Sequence, residues 1–139
     1  MTQLESPVYA LTVRQPEAAL IVANVKDVEN RPTNLLGRFS LPMRIAIHAG
    51  ITKPDPFARL LNLEQIQKLQ KCLGYSGAVR LFQRLQYGAI IGEVTITAVV
   101  TESDSPWRLP DSRYAYELAD AEEYAEPIPM RGYQGLWKI

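Results

Sequence analysis

Between Pro16 and Asn24 lies a run that shows no polar face, Ala18-Ala19-Leu20-Ile21-Val22-Ala23. With every position apolar, the run suits a short helix packed on more than one side, and the rest of the chain has to supply a layer that wraps it. Pro16 fits the first helical position, where its missing N–H has no intrahelical partner to lose. Asn24 fits a left-handed cap, because Asn tolerates positive φ better than most residues. Upstream, Tyr9-Ala10-Leu11-Thr12-Val13 alternates and predicts a strand with Tyr9, Leu11 and Val13 on one face. Downstream, Lys26-Asp27-Val28-Glu29-Asn30-Arg31 runs to Pro32. If that piece is extended, Glu29 and Arg31 share one face and Val28 and Asn30 the other. Arg14 and Lys26 flank the helix, so a charged cluster is attached to a buried element.

The remaining pattern is that of an α+β chain. Thr33 to Gly37 reads as a loop closing a hairpin, and Met43 to His48 alternates with Met43, Ile45 and Ile47 inward. From 54 to 86 the chain reads as a helical insertion of two or three helices, opened by Pro54 and Pro56, with Phe57 to Leu61 making a turn or two. Asn62 with Gln65 three positions on predicts a capping box. Ile66, Leu69 and Leu73 then recur at helical spacing up to Gly74, and Ser76 caps a second helix carrying Ala78, Leu81 or Phe82, and Leu85. Residues 89 to 101 predict the longest strand, with Ile90, Val94, Ile96, Ala98 and Val100 on one side and Glu93, Thr95 and Thr97 on the other. Gly92 within it predicts a bulge or a bend. Thr101 to Ser112 is a polar loop holding Trp107. Arg113 to Leu118 is a further strand, and Pro127 to Gly132 lead to a short closing strand at 136–138. Residues 1–7 read as a loose tail, and 1–139 as one domain.

Composition narrows the function. The 139 residues, 47% hydrophobic and 22% charged, suffice for a proper core. Fifteen basic and fifteen acidic residues cancel, so any nucleic-acid binding has to come from a local patch. The single cysteine, Cys72, permits no intrachain disulfide and fits a reducing compartment. No apolar run approaches ~18 residues and the first residues lack a signal-peptide pattern, so a cytoplasmic protein without membrane contact is expected. One His and one Cys do not build a zinc site, and no calcium, dinucleotide or P-loop pattern is present, so no metal or cofactor is expected. His48 reads as a hydrogen-bonded structural residue.

The candidate residues each carry a plain reading beside a functional one. Glu29 and Arg31 are either a surface ion pair or a pair lining a cleft, able to hydrogen-bond the edge of a base. Lys26 either supports a helix C-terminus, contacts phosphate, or serves as a base or nucleophile. Arg14, Arg44, Arg131 and Lys138 are either solvent-facing or a basic rim around that cleft. Trp107 either stacks on a base or plugs the end of the fold; Trp137 reads as core. A rival of another class takes residues 63–86 as a helix-turn-helix with Arg80, Gln83 and Arg84 reading DNA, although the neutral chain weakens it.

The runs Arg14-Gln15-Pro16 and Lys26-Asp27-Val28-Glu29-Asn30-Arg31 resemble the signature of the ASCH domain, a PUA-like fold. Gly88-Ala89-Ile90-Ile91-Gly92-Glu93-Val94 is similar to that family's central strand. Glu126-Pro127-Ile128-Pro129-Met130-Arg131-Gly132 and Gly135-Leu136-Trp137 resemble its closing segment. The resemblance implies a PUA-like mixed β-barrel of about five or six strands, with a buried short helix and the helical insertion at 54–86. It also implies a pocket for RNA or a modified nucleoside or nucleotide, involving Arg14, Lys26, Glu29, Arg31, Trp107 and Arg131. One ASCH relative is an amidohydrolase on N4-acylated cytidine that uses a lysine, a threonine three positions on, and a distant glutamate. Here the lysine falls on Lys26, but the threonine position holds Glu29, and Glu102 and Asp104 are only loose candidates for the glutamate. The resemblance thus leaves as an alternative a hydrolase of N4-acylated cytidine-type nucleosides or of RNA, an amidohydrolase or ribonuclease with Lys26 and Glu29 as its catalytic residues. A carboxylate beside the amine, however, favours its ammonium form and hence binding.

Overall fold

The structure is a computed structural model and describes residues 7–54 and 61–139. In chain order it contains β1 (Tyr9–Val13), α1 (Glu17–Val22), β2 (Val28–Arg31), β3 (Met43–Ala49), α2 (Leu63–Gln83), β4 (Ala89–Val100), β5 (Tyr114–Pro129) and β6 (Leu136–Lys138). Of the expected turns from Phe57 to Leu61, residues 57–60 lie outside the described residues, as does most of the expected N-terminal tail. The strands form one sheet in the order β2-β5-β4-β3-β1-β6, with β1 and β3 parallel and the other pairs antiparallel.

The sheet curls around α1. Ala18, Ile21 and Val22 pack against Leu11, Val13, Ile45, Ile47, Val94, Ile96 and Tyr116 in one buried cluster. Burying each of the large aliphatic side chains contributes roughly 1.5–3 kcal/mol, so an all-round apolar helix is stable only with this cover. The curl brings β2 and β1, several strands apart in the sheet, close enough for Arg31 Nη2 to donate to Thr12 O at 2.7 Å. The α+β half-barrel matches the expected class and strand number. A closed barrel does not form, because β2 and β6 remain the edges of the sheet.

A second cluster, Leu20, Val25, Val28, Leu69, Trp107 and Ala115, joins α1, β2 and α2. Within α2 the capping box forms in both directions, Asn62 with Gln65, and Gly74 at φ 70° and ψ 173° breaks the helix into two. Of the expected inward stripe, Leu69 and Leu73 pack on this cluster and Ile66 does not. Gln65 is buried, donating from Nε2 to Pro106 O at 3.0 Å, while Ile66 is exposed. The cap directs Gln65 inward, and its amide meets partners there, which offsets the cost of leaving water.

Three other expectations are corrected. Thr33 to Gly37 closes no hairpin, since β2 pairs with β5 and the chain crosses to β3. The strand expected to end at Leu118 continues to Pro129, because β4 offers it a pairing edge along that length. The faces of β4 change phase at register shifts between Ile90 and Gly92, Glu93 and Thr95, and Ile96 and Ala98. Ile91 therefore points to the α1 side, and Ile90 packs with Ala10 and Ala46 on the other. The bend at Gly92 is required by closeness: a Cβ there would meet Glu122 O and lie 2.7 Å from Val22 Cγ1.

Candidate functional site

Where α1 ends, the backbone turns sharply to reach β2. Asn24 adopts φ 61°, and the N–H groups of Val25 and Lys26 both donate to Leu20 O at 3.0 Å. The Asn24 side chain clasps β5, donating to Ala121 O at 2.7 Å and accepting from Ala121 N at 3.0 Å. Lys26 is thereby held against the start of β2. Its ammonium donates to Glu29 Oε1 at 3.2 Å, and Arg31 Nε donates to Glu29 Oε2 at 3.0 Å, as period two along β2 requires. Arg31 Nη2 also reaches Glu29 Oε2, at 2.9 Å. Lys26 and Glu29 are each 6% exposed, and the Arg31 side chain 19%. This is a buried cluster rather than a surface pair.

The neighbours hold this geometry. Tyr116 pairs with Glu29 across the β2–β5 ladder, donates to Thr33 O at 2.6 Å and accepts from Leu35 N at 3.0 Å. Burial pushes its phenol above the usual tyrosine value, opposed by the hydrogen bond from Leu35 and the charge of Arg31. On the other face of β2, Asn30 donates to Trp107 O at 3.0 Å and accepts from Arg108 and Leu109 N, which fastens the loop before β5.

The charges in the cluster do not balance. Two cations share one carboxylate. Lys26 carries three N–H donors, and Glu29 Oε1 is its hydrogen-bond acceptor among the described residues. The other N–H donors of Lys26 have no acceptor among the described residues. No group of three His, Cys, Asp or Glu among the described residues is placed to hold a metal ion.

The other expected members make no hydrogen bond or ion pair to Lys26, Glu29 or Arg31 among the described residues. Trp107 is 3% exposed inside the second core cluster, so base stacking is replaced by core packing; its Nε1–H finds no acceptor among the described residues. Arg14 is exposed just beyond β1, and Arg131 is exposed with its guanidinium over Tyr133, 5.4 Å from the ring centroid. Arg44 belongs to a separate group, with Nε 2.6 Å from Glu93 Oε2, while Tyr124 OH donates to Glu93 Oε1 at 2.9 Å. Trp137 is partly buried against Ala10, Ala46 and Ile90 rather than in the main core. Lys138 is exposed on β6, and among the described residues Arg44 is the one of the four expected rim residues that pairs with another carboxylate. Sequence reasoning missed Thr12, whose part is played by a backbone carbonyl and has no residue-type signal.

Two hollows lie elsewhere. A polar one of about 440 Å³ beside β2 is lined by Asp27, Thr97, Ser103, Asp104, Ser105 and Glu117 among others. An apolar groove of about 380 Å³ along α2 is lined by residues including Ile66, Leu69, Tyr75, Val79 and Phe82. Neither includes Lys26, Glu29 or Arg31.

No family model matches the chain, and no curated protein matches it. Among solved structures, it is similar to the crystal structure of a mutant of the ZmASCH protein from Zymomonas mobilis. The two are 17% identical, with 96% of this chain and 91% of that chain covered and a TM-score of 0.49.

Proposed function

We propose that the Lys26–Glu29–Arg31 cluster recognises RNA or a nucleotide-like ligand. The observation that carries this reading is the buried Lys26 ammonium, which shares its one carboxylate among the described residues with Arg31. A cation kept out of water favours an incoming acceptor strongly, because folding has already stripped much of its hydration. A base carbonyl or a phosphate oxygen supplies that acceptor. The residue-level resemblance to ASCH domains, at Arg14-Gln15-Pro16 and 26–31, points to the same ligand class.

Titration calorimetry with cytidine 5′-monophosphate and a short single-stranded RNA tests the reading. Wild type binds at least one of them, with affinity that falls as salt rises, and Lys26→Met weakens binding roughly tenfold, the value of ~1.4 kcal/mol. Equal affinities for wild type and a folded Lys26→Met protein sink the proposal.

The burial of the Lys26 amine also supports a second reading, a hydrolase of N4-acylated cytidine-type nucleosides with Lys26 and Glu29 at its centre. A nucleophilic lysine would first have to give up its ion pair with Glu29. Release of acetate from N4-acetylcytidine, absent in Lys26→Met, supports this second reading; no release by wild type removes it.

A further inference from the structure

The closing segment Met130 to Trp137 crosses the face of the sheet opposite α1, and it converges on Thr12. The Thr12 backbone N–H donates to Gly135 O at 3.3 Å, and Trp137 Nε1 donates to the Thr12 hydroxyl at 2.9 Å. His48, paired with Thr12 in the β1–β3 ladder, lies with Nδ1 3.4 Å from that hydroxyl. Its Nε2 is 2.8 Å from Met130 O. A carbonyl only accepts, so Nε2 carries a proton; in the neutral imidazole Nδ1 then accepts, and the Thr12 hydroxyl donates to it. Gly132 completes the contact, because a Cβ there would collide with the His48 ring. With the imidazole neutral, the donors in this set run from Trp137 to Thr12 to His48 to Met130.

The remaining polar group of Thr12, its carbonyl, is the one that receives Arg31 Nη2 at 2.7 Å. Arg31 in turn holds Glu29, and Glu29 holds Lys26. We infer that Thr12 is a positioning residue for the candidate site, and that the closing segment acts through it to set where Arg31 sits. This rests on the nucleotide-binding reading for its consequence, but not for its geometry. The backbone of β1 is fastened on one side by β6 and on the other by β3, so the Thr12 carbonyl cannot shift without disturbing Trp137 or His48. The site therefore extends, in effect, to a tryptophan on the far side of the sheet.

The test compares Thr12→Val, which keeps the shape and removes the hydroxyl, with Thr12→Ser, which keeps the hydroxyl, and with Trp137→Phe. The first readout is the Arg31 Nε–H resonance and its exchange with water in 15N-labelled protein, which needs no ligand. Thr12→Val and Trp137→Phe should move the resonance and speed its exchange by roughly fivefold, the factor that one ordinary hydrogen bond of ~1 kcal/mol carries. Thr12→Ser should restore the wild-type signal. A folded Thr12→Val protein with an unchanged Arg31 signal overturns the inference. The second readout is affinity for cytidine 5′-monophosphate, expected to fall in Thr12→Val and to recover in Thr12→Ser. A moved Arg31 signal with unchanged affinity overturns the link to binding. If wild type binds neither that nucleotide nor RNA, the functional reading fails, while the resonance still decides the positioning role.

Discussion

Neutralising Glu29 should cost far more than removing Lys26. Glu29→Gln leaves two cations, Lys26 at 6% exposure and Arg31 at 19% for its side chain, without the carboxylate that sits between them. Breaking a buried pair by removing one partner typically costs about 3–5 kcal/mol. The Gln carbonyl retains one neutral hydrogen bond, and Arg31 keeps Thr12 O, so the lower end, about 3 kcal/mol, is expected. Lys26→Met has the opposite character. It removes the surplus cation, leaves Arg31 paired one to one with Glu29, and fills nearly the same volume, so a change within about 1 kcal/mol is expected. Urea unfolding followed by circular dichroism measures both, and a loss of about 3 kcal/mol lowers Tm by roughly 10 °C for a chain of this size. In the Lys26→Met/Glu29→Gln double variant the cost should be smaller than the sum of the singles, since one of the unpaired cations is gone. Equal costs for the two single variants, or a Glu29→Gln loss below about 1 kcal/mol, would refute the claim that one carboxylate carries two buried cations. The same asymmetry makes Lys26→Met, not Glu29→Gln, the cleaner probe of ligand binding.

Trp107→Ala should cost about 3–5 kcal/mol of stability as a large core truncation, measured by the same unfolding curves. A stable variant with weakened RNA binding would instead restore Trp107 as a stacking residue. Gly92→Ala should lose about 1–3 kcal/mol or more, because the new methyl group meets Glu122 O and Val22; an unchanged Tm would show that β4 and α1 can separate there freely. Burial raises the phenols of Tyr116 and Tyr124, and Glu93 adds to the effect on Tyr124. Their folded values lie above the unfolded value of ~10, so the stability they contribute is complete below pH ~10 and declines as pH rises beyond it. In an alkaline absorbance titration, fewer than the seven tyrosines should ionise before the protein unfolds, and the shortfall should shrink in Tyr116→Phe. Ionisation of all seven in folded protein would contradict that burial.

The charged cluster was legible because side-chain period along a strand is strict: Glu29 and Arg31 had to share a face, and Lys26 had to sit where α1 releases the chain. The buried helix was equally legible, since six apolar positions leave no face for water. What stayed hidden depended on partners distant in sequence. Residues 119–129 carry Asp120, Glu122, Glu123 and Glu126 and show no strand pattern, yet the free edge of β4 draws them into β5. The phase changes at β4 bulges reversed Ile90, and the capping box turned Gln65 inward in place of Ile66. Trp107 sits in a loop of polar composition, but Asn30 pulls that loop onto β2 and the ring onto Val28 and Leu69. The contact from Arg31 to Thr12 ends on a carbonyl, which every residue possesses and no alphabet records.

The position of β1 has a consequence for the time order of synthesis. This strand leaves the ribosome before every other strand of its sheet, yet it lies between β3 and β6, so residues 9–11 cannot complete their pairing until 136–138 have emerged. For the whole interval between those two events, one edge of β1 stays open to other strands. Contacts between segments so far apart also slow folding, because the loop they close is long. A chain interrupted short of residue 136 would keep its apolar helix yet expose an unpaired strand edge, the feature that most readily recruits a second unfinished copy.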